Sequence, residues 1–187
     1  IYPSRSLAGS SPRNHRPHHL RTAAAALEHD PRQMQRDQDI EQVDGNFMHF
    51  AKTAFFFLKE AGKNVNDGGK VLTVVTSLLG AFTPFYSSYA GTKAPVEHFT
   101  RAASKEFGAR GISVNAIGPG PMDTPFFYPA EAADAVAYHK SAAALSGFSK
   151  TGLTDIEDIV PYIRFLVSEG WWMTGQTILV NGGYTTK

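Results

Sequence analysis

The 187-residue chain contains no cysteine, which excludes disulfide bonds, thiol catalysis and thiolate metal ligands. It also lacks an apolar run close to the roughly 20 residues that a membrane-spanning helix needs. The longest such run, at residues 54–58, is followed at once by Lys59 and Glu60. Ser, Pro, Arg and His residues interrupt any apolar signal sequence at the start of the chain. We therefore expect a soluble protein, located in the cytoplasm.

An excess of charge is missing as well, because 18 Lys and Arg residues against 17 Asp and Glu residues leave a net charge of +1. A near-neutral chain has no overall electrostatic signature for nucleic acid or for an anionic membrane surface. The hydrophobic content of 42% and the charged content of 19% are those of an ordinary globular domain. We expect a small-molecule ligand, with neither nucleic acid nor a membrane as partner.

The composition changes near residue 44. Residues 1–44 are rich in Arg, His, Gln, Ser and Pro, and four of the seven histidines lie there. A metal site built on His15, His18 and His19 is one interpretation, but the neighbouring arginines and proline are poor surroundings for a dication. We therefore predict a weakly ordered or helical segment at 1–44 with no metal ion, and a packed α/β domain at 45–187.

Apolar periodicity and glycine positions predict strands that alternate with helices in this second region. The predicted helices are 47–61, 88–107 and one that a capping box at 154–157 opens. The predicted strands are 71–75, 112–117 and 175–180. Residues 121–151 are expected to form a mobile helical flap over a pocket. This order of elements predicts a mostly parallel sheet flanked by helices.

Three polar residues occur in an order that suits the reduction of a carbonyl group. Tyr89 and Lys93 are four residues apart, so one face of a helix brings the phenol and the ammonium together. The developing alkoxide needs an acid, and a nearby ammonium should lower the pKa of a phenol from its ordinary value of about 10. Ser77, at the end of the strand 71–75, can orient the substrate oxygen by a hydrogen bond.

A second motif follows the strand 112–117. Pro119 and Gly120 predict a rigid turn whose backbone can approach a flat ring, and Thr124 can hydrogen-bond a carboxamide or a phosphate. Phe126 and Phe127 predict an aromatic lining for a substrate pocket. Each feature alone has a structural explanation, namely a solvated helix face, a cap or an ordinary turn. Their combination at strand ends, where parallel sheets bind ligands, favours a site.

These motifs resemble those of the short-chain dehydrogenase/reductase family from about residue 54 to the C-terminus. The resemblance rests on Ser77, the run YAGTK ending in Lys93, the run NAIGPGPMDT ending in Thr124, and the terminal TGQ and NGG runs. It implies a Rossmann-like, doubly wound α/β fold and NAD or NADP as cofactor. A carbonyl compound or secondary alcohol would be the substrate, and the protein would form a homodimer or homotetramer.

The resemblance also implies roles for individual residues. Tyr89 would be the catalytic acid or base, Lys93 would bind the ribose and tune Tyr89, and Ser77 would hold the substrate carbonyl. The contacts to the nicotinamide end of the cofactor would come from Tyr89, Lys93, Pro119, Gly120, Met122 and Thr124. Ser77, Phe126 and Phe127 would contact the substrate.

The sequence departs from the family at its first βαβ unit, because the T-G-x-x-x-G-x-G phosphate loop has no match in the 187 residues. Phe50 stands where the family places an asparagine. A truncated or incorrectly determined N-terminus, a replacement by unrelated sequence and a degenerate member would each explain this, and we favour the first. A catalytically silent binding or assembly protein is the alternative function. A hydrolase using Ser77 is a weaker one, because no histidine with a partnering carboxylate is evident near it.

Overall fold

The computed structural model describes residues 40–81 and 83–185. The predictions for residues 1–39, including the histidine-rich run, lie outside the described residues. Among the described residues no helix is both long and apolar enough to cross a membrane.

Three parallel strands form one open sheet in the order β1-β2-β3. The strands are β1 (Lys70–Val74), β2 (Ser113–Pro119) and β3 (Thr177–Val180). Lys70 pairs with Ser113, and Ala116 pairs with Thr177. Because β2 has a neighbour on each side, all its residues but Pro119 are buried, as expected for the central strand of a parallel sheet. The predicted parallel α/β architecture is therefore confirmed.

Helices flank this sheet. They are α1 (Ile40–Asn46), α2 (Thr53–Asn64), α3 (Ser87–Glu106), α4 (Ala133–Ala142) and α5 (Ile156–Val167). A π-helical turn, Phe47–Lys52, joins α1 to α2, so the first helical run is longer than the 47–61 predicted. Short 3₁₀ turns lie at Ser77–Gly80, Gly108–Arg110, Tyr128–Ala130 and Ser146–Phe148.

The core between the sheet and the helices α2 and α3 is apolar. Its buried members are Leu58, Ala61, Val71, Ala103, Ile112 and Val114, with Val65, Phe99 and Phe107 packed against them. Phe99 and Phe107 therefore serve the core, whereas Phe55, Phe56 and Phe57 of α2 are each about half exposed. Helix α5 contacts β1 and β2. The burial of such side chains is the main favourable term in folding.

The capping box of α5 lies one residue later than predicted. The reciprocal hydrogen bonds join Asp155 and Asp158 rather than Thr154 and Glu157. The backbone of Thr154 is engaged elsewhere, since its N–H donates to the Pro121 carbonyl and its own carbonyl accepts from the Asp123 N–H. These two hydrogen bonds pair Thr154 with the segment around Met122 as in a parallel bridge, so helix α5 begins only after Thr154.

Candidate active site

The carboxyl end of β1 leads directly into the site. Thr76 follows the strand in an extended conformation, and its hydroxyl accepts a hydrogen bond from the Leu78 N–H at 3.3 Å. This cap opens the 3₁₀ turn that contains Ser77, which is only 1% exposed. The carbonyl of Ser77 accepts a hydrogen bond from the Thr185 hydroxyl at 2.9 Å. The backbone around Ser77 is therefore held by the Thr76 cap on one side and by Thr185, near the C-terminus, on the other.

Tyr89 lies in the first turn of α3, beside this strand end. Burial raises the pKa of Tyr89, and the neighbouring Thr76 side chain only partly offsets that rise. The phenol therefore stays protonated at neutral pH.

Lys93 lies one helical turn after Tyr89 and reaches the same strand end. Its ammonium donates to the Val74 carbonyl at 3.3 Å and lies 6.0 Å from the centroid of the Tyr89 ring. Burial lowers the pKa of Lys93. The structure brings the two side chains together, but the lowering of the Tyr89 pKa by Lys93 that we expected is not found: burial raises that pKa, and the side chain that partly offsets the rise is Thr76.

Phe50 packs against both of these residues. Its ring meets that of Tyr89 edge to face at a centroid distance of 5.7 Å, and the Lys93 ammonium lies 4.5 Å from the Phe50 ring centroid. The π-helical turn that carries Phe50 adds a residue to the helix at this point. A cation over an aromatic face is attractive, so Phe50 helps to hold Lys93 against the end of β1.

The turn after β2 lies beside the end of β3. The Gly120 N–H donates to the Val180 carbonyl at 3.1 Å. The expected approach of a flat ring to the Gly120 backbone stays a prediction, but the space at its β position is filled by protein. A β-carbon at Gly120 would lie 2.9 Å from the Thr154 hydroxyl and 3.1 Å from the Asn181 α-carbon. Glycine is needed here for close packing between protein segments.

The other predicted residues of this turn are partly exposed. Met122 pairs with Thr154 in an isolated parallel bridge, and the Thr124 N–H donates to the Met122 carbonyl at 2.9 Å. The two phenylalanines that follow differ, because Phe126 is 76% exposed whereas Phe127 packs edge to face on His139 at 5.7 Å. The structure therefore brings Phe127, but not Phe126, into contact with the buried part of the flap.

Sequence reasoning missed His139, which is only 5% exposed. Both of its ring nitrogens are hydrogen-bonded to tyrosines, Nε2 to Tyr86 and Nδ1 to Tyr184. It is therefore not available as a base for Ser77, which removes support from the hydrolase interpretation. The only sequence signal was a histidine at a partly apolar position of the alanine-rich flap helix. Within residues 40–81 and 83–185 no group of three His, Cys, Asp or Glu side chains could hold a metal ion.

Proteins with a parallel α/β sheet bind ligands at the carboxyl ends of the strands, where this polar cluster lies. Comparison with known proteins narrows this class to one family. A family model described as Enoyl-(Acyl carrier protein) reductase matches residues 16–185. A protein of Arabidopsis thaliana named "NADPH-dependent aldehyde reductase-like protein, chloroplastic" is 34% identical over 151 residues, 79% of this chain and 54% of that protein. A "Short-chain type dehydrogenase/reductase" of Picea abies is 34% identical over 146 residues, 76% and 52% of the two chains.

A solved structure is similar as well. It is described as a putative dehydrogenase from Burkholderia cenocepacia with bound NADP, it is 74% identical, and it superposes with a TM-score of 0.79 over 80% of this chain and 56% of its own. The chain belongs to the short-chain dehydrogenase/reductase family. It spans about half the length of the curated relatives named above. The family match begins at residue 16, inside the segment 1–44 that we set apart by composition.

Proposed function

We propose that residues 45–187 carry the catalytic half of an NAD(P)-dependent oxidoreductase that reduces a carbonyl group or oxidises a secondary alcohol. The observation that carries this proposal is the meeting of three groups at the end of β1. The Thr76 side chain lies near enough to the Tyr89 phenol to influence its pKa, Ser77 is the next residue, and the Lys93 ammonium donates to Val74. A proton donor, a hydroxyl for the substrate oxygen and a cation thus lie at one strand end.

The donor set fits the nicotinamide end of the cofactor. Lys93 has three N–H donors of which one contacts Val74, so others are free for ribose hydroxyls. The turn that contains Pro119, Met122 and Thr124 lies at the adjacent carboxyl end of β2, where such folds bind nucleotides. The pyrophosphate end has no glycine-rich loop in this sequence. Bound there, the cofactor would supply or accept the hydride.

The protein residues would then handle the proton and the substrate oxygen. Tyr89 holds its proton at neutral pH and can pass it to the oxygen of a carbonyl as that oxygen gains charge, although its raised pKa makes it a weaker acid than a solvent-exposed tyrosine. Ser77 is almost fully buried, so we place its hydroxyl on the floor of the site, where it would orient the same oxygen. Oxidation of an alcohol would run these transfers backwards.

The named relatives support this proposal. One is named an NADPH-dependent aldehyde reductase-like protein, and the Burkholderia cenocepacia structure contains NADP. We infer that NADP is the cofactor of choice and that an aldehyde or ketone is the substrate. Phe127, which lies against the buried His139, would contribute an apolar wall to the substrate pocket. Phe126 remains a prediction for the outer rim of that pocket.

Cofactor titration and a single substitution test the proposal. We expect NADPH added to the protein to give saturable fluorescence transfer, and Tyr89→Phe to retain binding but lose at least about a hundredfold in kcat for an aromatic aldehyde. The matched control is Tyr162→Phe, because Tyr162 is a half-exposed tyrosine of α5, a helix that carries none of these groups. Undiminished turnover in Tyr89→Phe would show that the phenol is not the acid.

The catalytically silent alternative draws on one feature of the site. The Lys93 ammonium is engaged by the Val74 carbonyl and by the Phe50 ring, and the 187 residues contain no match to the phosphate loop that anchors a dinucleotide. Much of the binding energy for the cofactor would be lost with that loop. Absence of any binding at millimolar NADPH and NADH would favour this alternative, whereas micromolar affinity would exclude it.

We further propose that copies of this chain associate through α2. Phe55, Phe56 and Phe57 are 48%, 47% and 52% exposed on that helix, and contiguous exposed aromatics mark interaction surfaces. A homodimer or homotetramer is expected, and sedimentation of the Phe56→Ser variant should shift to lower mass. A cytoplasmic location also stays a prediction, since the Arabidopsis thaliana relative is named chloroplastic.

A further inference from the structure

Four polar side chains form a hydrogen-bond network beside the proposed active site. The Tyr86 hydroxyl is hydrogen-bonded to both carboxylate oxygens of Glu131, at 2.8 and 2.7 Å, and lies 3.0 Å from Nε2 of His139. The Tyr184 hydroxyl lies 2.8 Å from Nδ1 of the same ring. Four residues from four different positions along the chain are thus connected end to end.

The direction of each hydrogen bond follows from the chemistry of the groups. An ionised carboxylate only accepts, so Tyr86 donates to Glu131. The Tyr86 oxygen is then free to accept, and Nε2 of His139 must carry the proton that it donates. A neutral imidazole with its proton on Nε2 has an acceptor at Nδ1, which takes the proton of Tyr184. One protonation state therefore satisfies every member.

The surroundings favour this neutral state. The rings of Tyr86, Phe127, Tyr138 and Tyr184 surround the imidazole with centroid distances of 6.1, 5.7, 5.5 and 5.7 Å. Burial lowers the pKa of His139 more than the charge of Glu131 raises it, and burial raises the pKa of Tyr184 to about 12. Two further carboxyl groups, those of Glu157 and Asp158 on α5, line the cavity of about 520 Å³ that His139 also borders, but the hydrogen-bond partners of the ring nitrogens are tyrosines.

The residues of this network lie on segments that contain or contact the proposed catalytic residues. Tyr86 immediately precedes α3, whose first turn contains Tyr89. Glu131 and His139 belong to the flap, residues 121–151. Tyr184 belongs to the C-terminal segment, residues 181–185, whose Thr185 hydroxyl donates to the Ser77 carbonyl and accepts from the Asn181 amide at 2.8 Å. His139 is therefore the junction between the Tyr89 helix and the segment that holds Ser77.

We propose that neutral His139, protonated on Nε2, is a positioning residue that joins the start of α3, the flap and the C-terminal segment, and thereby fixes Ser77 relative to Tyr89. The ring itself is 5% exposed and both nitrogens are occupied by tyrosines, so neither nitrogen is available to a substrate. Its role in turnover rests on the proposed function, but its role in holding the segments together does not.

Two conservative variants separate the two halves of the network. Tyr184→Phe removes the hydrogen bond from His139 to the C-terminal segment, whereas Tyr86→Phe removes the hydrogen bonds from the start of α3 to Glu131 and His139 of the flap. We expect hydrogen exchange of the amides at 181–185 to rise about five- to tenfold in Tyr184→Phe, the value of one lost hydrogen bond. In Tyr86→Phe the rise should fall on the flap instead. Tyr162→Phe is the control for both.

Nitrogen NMR of the His139 ring provides the second readout, assigned by its disappearance in His139→Gln. At pH 8 we expect a neutral ring with the proton on Nε2, and a shift of the Nδ1 signal in Tyr184→Phe. A proton on Nδ1, or a C-terminal segment that exchanges equally in Tyr184→Phe and Tyr162→Phe, would overturn the proposal.

Kinetics provides the third readout and separates this inference from the proposed function. Tyr184→Phe should lower kcat for an aromatic aldehyde with NADPH about five- to tenfold while KM changes less than twofold. An unchanged kcat in an active preparation would overturn the positioning of Ser77. If the wild-type protein shows no turnover but the NMR and exchange results are as expected, the junction at His139 is supported and the proposed function alone is wrong.

Discussion

The region formed by β1, β2, α2 and α3 and the region formed by the flap and the C-terminal segment are held together by different forces. The first surrounds an apolar cluster in which Val114 is fully buried and Leu58 and Val71 nearly so. The second depends on hydrogen bonds between polar side chains, with His139 at the centre. Apolar packing tolerates small displacements, whereas hydrogen bonds require set distances and angles. The two regions should therefore respond differently to substitution and to pH.

The largest effect should come from a backbone contact between the flap and Gly152, the residue that follows it. Gly152 has a φ of 85°, and a β-carbon there would lie 2.2 Å from the Lys140 carbonyl oxygen. Strain and overlap together should make Gly152→Ala lower the free energy of unfolding by about 4 kcal/mol, as measured by urea denaturation. Gly147 in the same flap has no atom within 4 Å of its β position, so Gly147→Ala should change stability little. Equal effects of the two substitutions would contradict this account.

A core substitution should be nearly as costly in the first region. Leu58 is 4% exposed in the apolar cluster, so Leu58→Ala should lower the free energy of unfolding by about 3 kcal/mol through the cavity it leaves. Leu145 of the flap is 59% exposed, and Leu145→Ala serves as the matched control with little expected change. The loss in Leu58→Ala should be the same at pH 8 and pH 5.5, because no titrating group is involved.

The second region should instead lose stability as the pH falls. Burial lowers the pKa of His139 below its ordinary value of 6.5, so the unfolded chain takes up a proton at a higher pH than the folded one. Stability is then complete above about pH 6.5 and declines below it, by at most about 1.4 kcal/mol for each pH unit. Urea midpoints measured from pH 8 to pH 5 should show this decline.

His139→Gln should remove this part of the pH dependence, although it lowers stability at pH 8. His98→Gln is the matched control, because His98 lies exposed on α3. A decline between pH 7 and pH 5 that persists unchanged in His139→Gln would assign it to other groups.

The smallest effect should come from a surface ion pair in the first region. Lys63 and Glu60 are 2.7 Å apart on α2, with side chains 57% and 56% exposed. Exposed pairs of this kind contribute little because solvent and salt screen them. Glu60→Gln should leave the urea midpoint within experimental error of the wild type. A clear loss of stability would mean that this helix depends on charge more than its packing indicates.

Much of the fold could be predicted because apolar periodicity is a local property. The strand predicted at 71–75 is found at Lys70–Val74, and the helix predicted at 88–107 is found at Ser87–Glu106. The capping box of α5 was displaced by one residue because the backbone of Thr154 pairs with a distant segment. The π-helical turn at Phe47–Lys52 was missed as well, since its Phe50 packs on residues of α3. A local sequence pattern cannot show that Thr154 pairs with Pro121 and Asp123, or that Phe50 packs on Tyr89.

The candidate site divides in the same way. Tyr89 and Lys93 could be placed together from their spacing alone, because one helical turn separates them. The pKa of Tyr89 could not be predicted, because it depends on how far the packed helix and strand bury the phenol. The close packing at Gly120 could not be predicted either, because Thr154 and Asn181 lie in segments distant from it in the chain.

The alternation of strands and helices and the polar residues at the strand ends follow from local sequence, because both depend on short-range periodicity and on residue chemistry. Which side chain joins those strand ends to the rest of the protein depends on how distant segments pack together. His139 acquires its role from Tyr86 and Tyr184, which lie 53 and 45 residues away in the chain. Hydrogen bonds between such distant residues form only when the whole chain folds, and no local pattern records them.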